Sequence, residues 1–313
     1  MKKHNSKVKG ILYWKSDMIV QVKKCSNQNA TLAQHPEWIL HDDYGNIVSP
    51  RRPYFDLLNP SLRDWMTNHL LSLANVTDDS GNRLLSGFFL DGVENSPNRT
   101  STFANVSAAR YEALLDAKFS MLVQLQQELT QYGQVVITNA LDTTWQLEKV
   151  TEIGASMIDH FAILQFIDKV TGEMLPGPMK ELLFDVARSP TLANRTVEIK
   201  GWPGPIIRQR DVWPNNSQPT TPSEFQQAAL DYMNNALSYF LLVAEENTWW
   251  GYSWFWGMGD VEPFEQNSTV PSSFFPIYKC PLGPPQGPPK QVDTWKFERQ
   301  YQYASVAVDL ESR

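Results

Sequence analysis

The segment Gly87-Phe88-Phe89-Leu90-Asp91-Gly92 constrains this chain more than any other. Its short apolar run reads as a strand buried on both faces, the kind found in parallel sheets. The run ends abruptly in a carboxylate, then a glycine, then a second acid at Glu94. Moving an ionised carboxylate out of water is costly unless the group is paired or hydrogen-bonded. Asp91 is therefore either well partnered or placed for chemistry. In a parallel α/β barrel the C-terminal strand ends face the active site. The plainer alternative is an Asp that caps the following loop.

The rest of the chain alternates in the same style. Strands are expected near residues 8–14, 37–41, 54–58, 87–91, 134–138, 155–160, 196–201 and 239–244. Helices are expected between several of them. Asn59 caps a helix that begins at Pro60 and carries Leu62, Trp65, Leu70 and Leu73 at helical spacing. A longer helix runs from about Ser107 to Tyr132, with Gly133 as its stop. Thr221-Pro222-Ser223-Glu224 is a full helix-start signature. Alternation of this kind predicts a parallel sheet covered by helices. Eight strand candidates suit a (β/α)8 TIM barrel better than an open sheet. No Gly-rich loop follows the first strand, so a dinucleotide-binding fold has no support. We expect one catalytic barrel over residues 1–270. The Pro/Gly-rich stretch from Cys280 to Pro289 predicts an extension over 271–313 packed on it.

The totals exclude several classes. No run of 18 apolar residues exists, so no membrane span is expected. A net charge of −7 with scattered Lys and Arg argues against a nucleic-acid partner. Two cysteines, Cys25 and Cys280, make no disulfide scaffold and no metal-type spacing, and a single bond between them and two free thiols are both open. No cofactor and no metal site is expected. Seven Asn-x-Ser/Thr sequons, at Asn29, Asn75, Asn98, Asn105, Asn194, Asn215 and Asn267, predict an extracellular or secretory-pathway glycoprotein. The first residues lack the apolar core of a signal peptide, so either a leader has been removed or the sequons are fortuitous.

Chemistry is expected where strands end in acids. Asp91 and Asp159 each follow a strongly apolar strand with no local partner, and Glu94 competes for either role. Glu245 and Glu246 follow the run Tyr239–Ala244. Paired carboxylates at one barrel mouth are what glycoside hydrolysis requires, one as acid and one as nucleophile or base. The plainer readings are an Asp159 that fixes His160 or nearby backbone, and a Glu94 that solvates a loop.

Aromatic residues make up 12% of the chain, and Thr248–Trp256 is unusually rich in them. Flat rings can hold sugar faces, though they also fill large cores. Trp250, Tyr252 and Trp254 are candidate substrate contacts, with Tyr13 and Trp14 at the end of the first strand. Asn139, at another strand end, is a candidate hydrogen-bond donor to substrate. His41 could line the mouth or be an ordinary structural histidine. With no Ser in a nucleophile elbow, a hydrolase triad has no support.

Several short motifs together resemble a known group. They are His35-Pro36-Glu37-Trp38 with Asp43-Tyr44-Gly45-Asn46, Phe55-Asp56-Leu57-Leu58-Asn59-Pro60-Ser61-Leu62-Arg63-Asp64-Trp65, and Gly87-Phe88-Phe89-Leu90-Asp91-Gly92-Val93. Ile137-Thr138-Asn139, Met157–Phe161, Arg299-Gln300-Tyr301 and Val306–Asp309 extend them. The chain resembles the glycoside-hydrolase-like TIM-barrel families, the hypothetical glycosyl hydrolases. The resemblance implies a barrel acting on glycosidic bonds with Asp91 as a catalytic carboxylate. In those families the second acid is usually Glu, where this chain has the shorter Asp159. A secreted, monomeric O-glycosyl hydrolase acting on a poly- or oligosaccharide is the expectation. A non-catalytic carbohydrate-binding barrel and a polysaccharide lyase are the alternatives.

Overall fold

The structure is a computed structural model. It describes residues 10–17, 31, 33–92, 101–139, 141, 144–158, 175–193, 195–201, 222–252 and 276–311, and their side chains except at 157, 222–226, 228–230 and 252. The chain divides into two compact units, Met1–Leu141 with Trp145–Met157, and Asp142–Thr144 with Ile158–Arg313.

The first unit is built on four parallel strands, β1 (Ile11–Lys15), β2 (Gly87–Asp91), β3 (Val135–Thr138) and β4 (Ala155–Ile158). Each pairs with the next in chain order. Helices fill the connections: α1 (Pro60–Ala74), α2 (Ala108–Thr130) and α3 (Thr144–Lys149). The Asn59 side chain accepts the Ser61 amide at 3.0 Å, so α1 begins where the Asn-Pro pair predicts. Its Leu62, Met66, Leu70 and Ala74, each four residues from the next, form one buried stripe. Strand β2 is buried at all five positions, as its apolar run predicts. Phe88 and Leu90 lose all contact with water, each stabilising the fold by about 1.5–3 kcal/mol.

Two expected strands take another form. Residues 37–41 and 54–58 belong to a short 3-10 turn at Pro36–Trp38 and to isolated antiparallel bridges, Ile39 with Phe55 and His41 with Ile47. Pro36 opens that turn, and the segment is too short and too interrupted for a ladder. Two surface turns share the sequence Asp-Asp-x-Gly-Asn, at 42–46 and 78–82. In each the first Asp carboxylate accepts backbone amides two and four residues on, and the Gly has φ near +80° (83 and 79).

The second unit holds a parallel pair, β5 (Thr196–Gly201) and β6 (Thr248–Tyr252), with α4 (Pro176–Lys180) and α5 (Pro222–Val243). An antiparallel sheet of β7 (Lys290–Asp293), β8 (Lys296–Gln300) and β9 (Ser305–Asp309) closes the chain. Its buried face, Phe297, Arg299, Val306 and Val308, turns toward α5. Residues 239–244 were expected as a strand but continue α5 to Val243. Met233, Ala236, Tyr239 and Val243 are all buried, so the helical stripe runs on through the apolar segment without a breaker. The strand comes later, at the start of the aromatic run. Among the described residues, then, the chain is an α/β protein with six parallel strands, of which five match the eight expected.

Candidate active site

Three neighbouring parallel strands deliver their C-terminal ends to one place. Lys15 lies opposite Asp91 in the β1–β2 register, and Asn139 follows the last residue of β3. Side chains alternate along a strand, so Tyr13 and Lys15 share a face. The Tyr13 hydroxyl donates to Asp91 Oδ2, and Lys15 Nζ reaches the same oxygen at 3.1 Å. The Asn139 side-chain amide and the Gly92 backbone N–H (2.8 Å) donate to Asp91 Oδ1. Ser16 binds the Asp91 carbonyl through its backbone N–H (2.9 Å) and hydroxyl (2.7 Å).

Asp91 is thus 8% exposed with four donors on its carboxylate. Burial pushes that carboxyl up, but the Tyr13 hydrogen bond, the Lys15 charge and hydrogen bond, and the Gly92 amide outweigh it. The group is held below the usual carboxylate range.

A second carboxylate, Asp17, sits beside it. Its backbone carbonyl accepts the Phe55 amide at 3.0 Å, which pins the segment leaving β1. Asp17 is 6% exposed, and no hydrogen-bond donor among the described residues reaches its Oδ1. Lys15 Nζ stands 3.7 Å from that oxygen. The Asp17 carboxyl lies against Gly92, where a Cβ would overlap it. Lys118, a buried cation on α2, donates to the Gly92 carbonyl at 2.8 Å. Burial is the largest influence on Asp17 and pushes its carboxyl above the usual range. Lys118 and Lys15 pull it down, while the Asp91 charge pushes it up further. Two adjacent acids are therefore driven in opposite directions, one toward the carboxylate and one toward the neutral acid.

The other expected site residues fall elsewhere. Trp14 points to the opposite face of β1 and packs on His69 of α1, ring centroids 5.1 Å apart. His41 is half-buried in a loop bridge, its Nδ1 2.9 Å from the Ile39 carbonyl. Glu245 follows α5 and precedes β6, so it stands at the N-terminal side of that strand rather than at a strand's C-terminal end. There it pairs with Arg188 (2.9 Å) and Arg299 (3.5 Å). Trp250 lies within β6, donates to the Tyr278 hydroxyl at 3.0 Å and packs on Phe240 and Met233. Tyr252 ends β6, and its side chain lies outside the described residues. Glu94, Asp159 and Trp254 lie outside the described residues altogether, as does Cys25. Cys280 is an exposed free thiol.

Asp17, Lys15 and Lys118 join the site without being among the residues expected there from the sequence. Lys15-Ser16-Asp17 reads as the start of a polar loop unless β1 is carried one residue further. Lys118 had a legible signal: it falls on the apolar stripe of α2, among Leu114, Leu115 and Leu122. A charge there must find a buried partner. Among the described residues, no three His, Cys, Asp or Glu side chains gather as a metal site would require, and no helix is long and apolar enough to cross a membrane.

A family model described as hypothetical glycosyl hydrolase family 15 matches residues 2–305. No curated protein matches the chain.

Proposed function

The chain belongs to hypothetical glycosyl hydrolase family 15, and on that premise we propose that it hydrolyses a glycosidic bond with Asp91 as one of its two carboxylates. The observation that carries this reading is the Asp91 side chain at the end of β2, held ionised by Tyr13, Lys15, Asn139 and Gly92. A carboxylate kept charged while nearly buried is suited to attack or to stabilise an oxocarbenium-like centre. Acid pairs with opposed environments are the arrangement that lets one side chain give a proton while the other stays negative.

A poly- or oligosaccharide is the substrate class. Tyr13 supports it: half its surface is exposed, and its ring offers a flat face beside Asp91. We read the architecture as a (β/α)8 barrel. Helix–strand alternation, six parallel strands and an acid at the C-terminal end of one of them support that reading. We place the protein in the secretory pathway on its seven sequons. A mobility shift on deglycosylation of protein from its native source tests this, and protein without glycan there refutes it.

The function is tested by screening a glycan library for hydrolysis with wild type and Asp91→Asn side by side. Wild type releases reducing ends, and the variant folds but loses at least about three orders of magnitude in turnover. Products that absorb in the ultraviolet would instead identify a lyase. Glycans bound but never cleaved would identify a binding barrel.

A further inference from the structure

We propose that Asp17 is the second carboxylate of this site, the group that protonates the departing glycosidic oxygen while Asp91 attacks the anomeric carbon. The assignment rests on the glycosidase reading above, which leaves the partner of Asp91 open.

The position is built rather than incidental. The Phe55 amide holds the Asp17 backbone, and the absence of a side chain at Gly92 leaves room for its carboxyl. The two acids then share one cation, Lys15 Nζ, at 3.1 Å from Asp91 and 3.7 Å from Asp17. Two oxygens that touch one nitrogen at these distances are at most about 7 Å apart, which admits the retaining spacing and only the lower edge of the inverting one.

The two side chains are also unequally served. Asp91 receives four donors. Asp17 Oδ1 is buried and receives none among the described residues. The nearby Lys118 donates to the Gly92 carbonyl. A buried carboxyl oxygen without a donor favours the neutral acid, because the charged form loses its hydration and the Lys15 and Lys118 charges offset only part of that loss. The division of labour follows from these surroundings: Asp91 is the nucleophile and Asp17 carries the proton.

The chemistry then balances with water alone. An Asp91 oxygen bonds to the anomeric carbon as the glycosidic C–O bond breaks. The bonding pair passes to the leaving oxygen, which takes the Asp17 proton. Asp17, now a carboxylate, takes a proton from a water whose oxygen attacks the same carbon. Asp91 departs as a carboxylate, and Asp17 is again protonated.

Asp17→Ala and Asp159→Ala are compared with wild type on the glycan found by the screen and on 2,4-dinitrophenyl glycosides, whose leaving group departs without protonation. Asp17→Ala should lose about 10²–10⁴-fold on the glycan and stay within about tenfold of wild type in cleaving the aryl bond. Azide should restore its turnover and yield a glycosyl azide with retained configuration. Equal losses on both substrates, or this pattern in Asp159→Ala instead, overturns the assignment. A carboxyl titration by NMR on ¹³C-aspartate-labelled protein needs no substrate, with Asp17→Asn identifying the resonance. Asp17 should titrate above the ordinary Asp range and move down in Asp91→Asn. Titration within or below that range overturns the proposal even in an active enzyme. A wild type that cleaves no glycan defeats the glycosidase reading itself, a separate outcome.

Discussion

Gly92 and Asp17 share one space: the Asp17 carboxyl occupies the volume that a side chain at position 92 would fill. Gly92 also has φ +82°, in the left-handed region that L residues avoid. Gly92→Ala should therefore cost about 1–2 kcal/mol for the backbone alone, and more for displacing Asp17. In an Asp17→Gly background only the backbone cost should remain. A double-mutant cycle by urea denaturation checks this, and additive costs would show that the two residues do not compete.

Tyr13→Phe removes a hydrogen bond that favours the ionised form of Asp91. The Asp91 carboxyl should then titrate higher, so the acidic limb of the kcat/KM profile moves toward higher pH. Loss of one donor to a charged group should lower turnover roughly 10–100-fold. An unmoved acidic limb would mean that this limb does not report Asp91.

The two acids should affect stability with opposite signs. The raised Asp17 binds its proton more tightly in the folded chain. Its contribution is full below the unfolded pKa and is lost as pH rises through the folded one. Asp17→Asn should therefore stabilise the protein at pH 7, by about 0.5–2 kcal/mol, while removing activity. The gain should shrink on acidification. The lowered Asp91 behaves conversely: its contribution is present above the unfolded pKa and is lost as pH falls through the folded one. Asp91→Asn should destabilise at pH 7 and matter least in strong acid. Melting temperatures across pH for both variants decide the matter.

Arg299 is a test away from the chemistry. It is 3% exposed and donates to the carbonyls of Leu241 (3.3 Å), Leu242 (3.1 Å) and Ala244 (2.6 Å) at the end of α5. These are the carbonyls a helix end leaves unpaired. Arg299→Met should cost roughly 2–4 kcal/mol in chemical denaturation, since it removes their shared donor and leaves Glu245 with Arg188. A change below about 1 kcal/mol would show that water replaces the guanidinium.

Local patterns carried much of this architecture. Asn59-Pro60 starts α1, the stripe from Leu114 to Leu125 defines α2, and Gly-Phe-Phe-Leu-Asp is the buried strand β2. Tyr239–Ala244 misled because a short apolar run has no period that separates a strand from one more helical turn. With that strand removed, Glu245 lost its expected place. It became an ion-pair partner of arginines distant in sequence.

The sequence by itself determined that a buried strand ends in Asp91, that helices and parallel strands alternate around it, and that the chain resembles glycosidase-like barrels. These follow from residue type and spacing within a few neighbours. Only the tertiary structure decided what surrounds Asp91. Tyr13 and Lys15 lie 78 and 76 residues from it along the chain, and Asn139 lies 48 away. Strand register brings them together, and register is a property of the assembled sheet. The same assembly buries Asp17 against Gly92 and turns an ordinary loop acid into a candidate proton donor, because burial and neighbouring charge set a proton's affinity and neither is local to the chain.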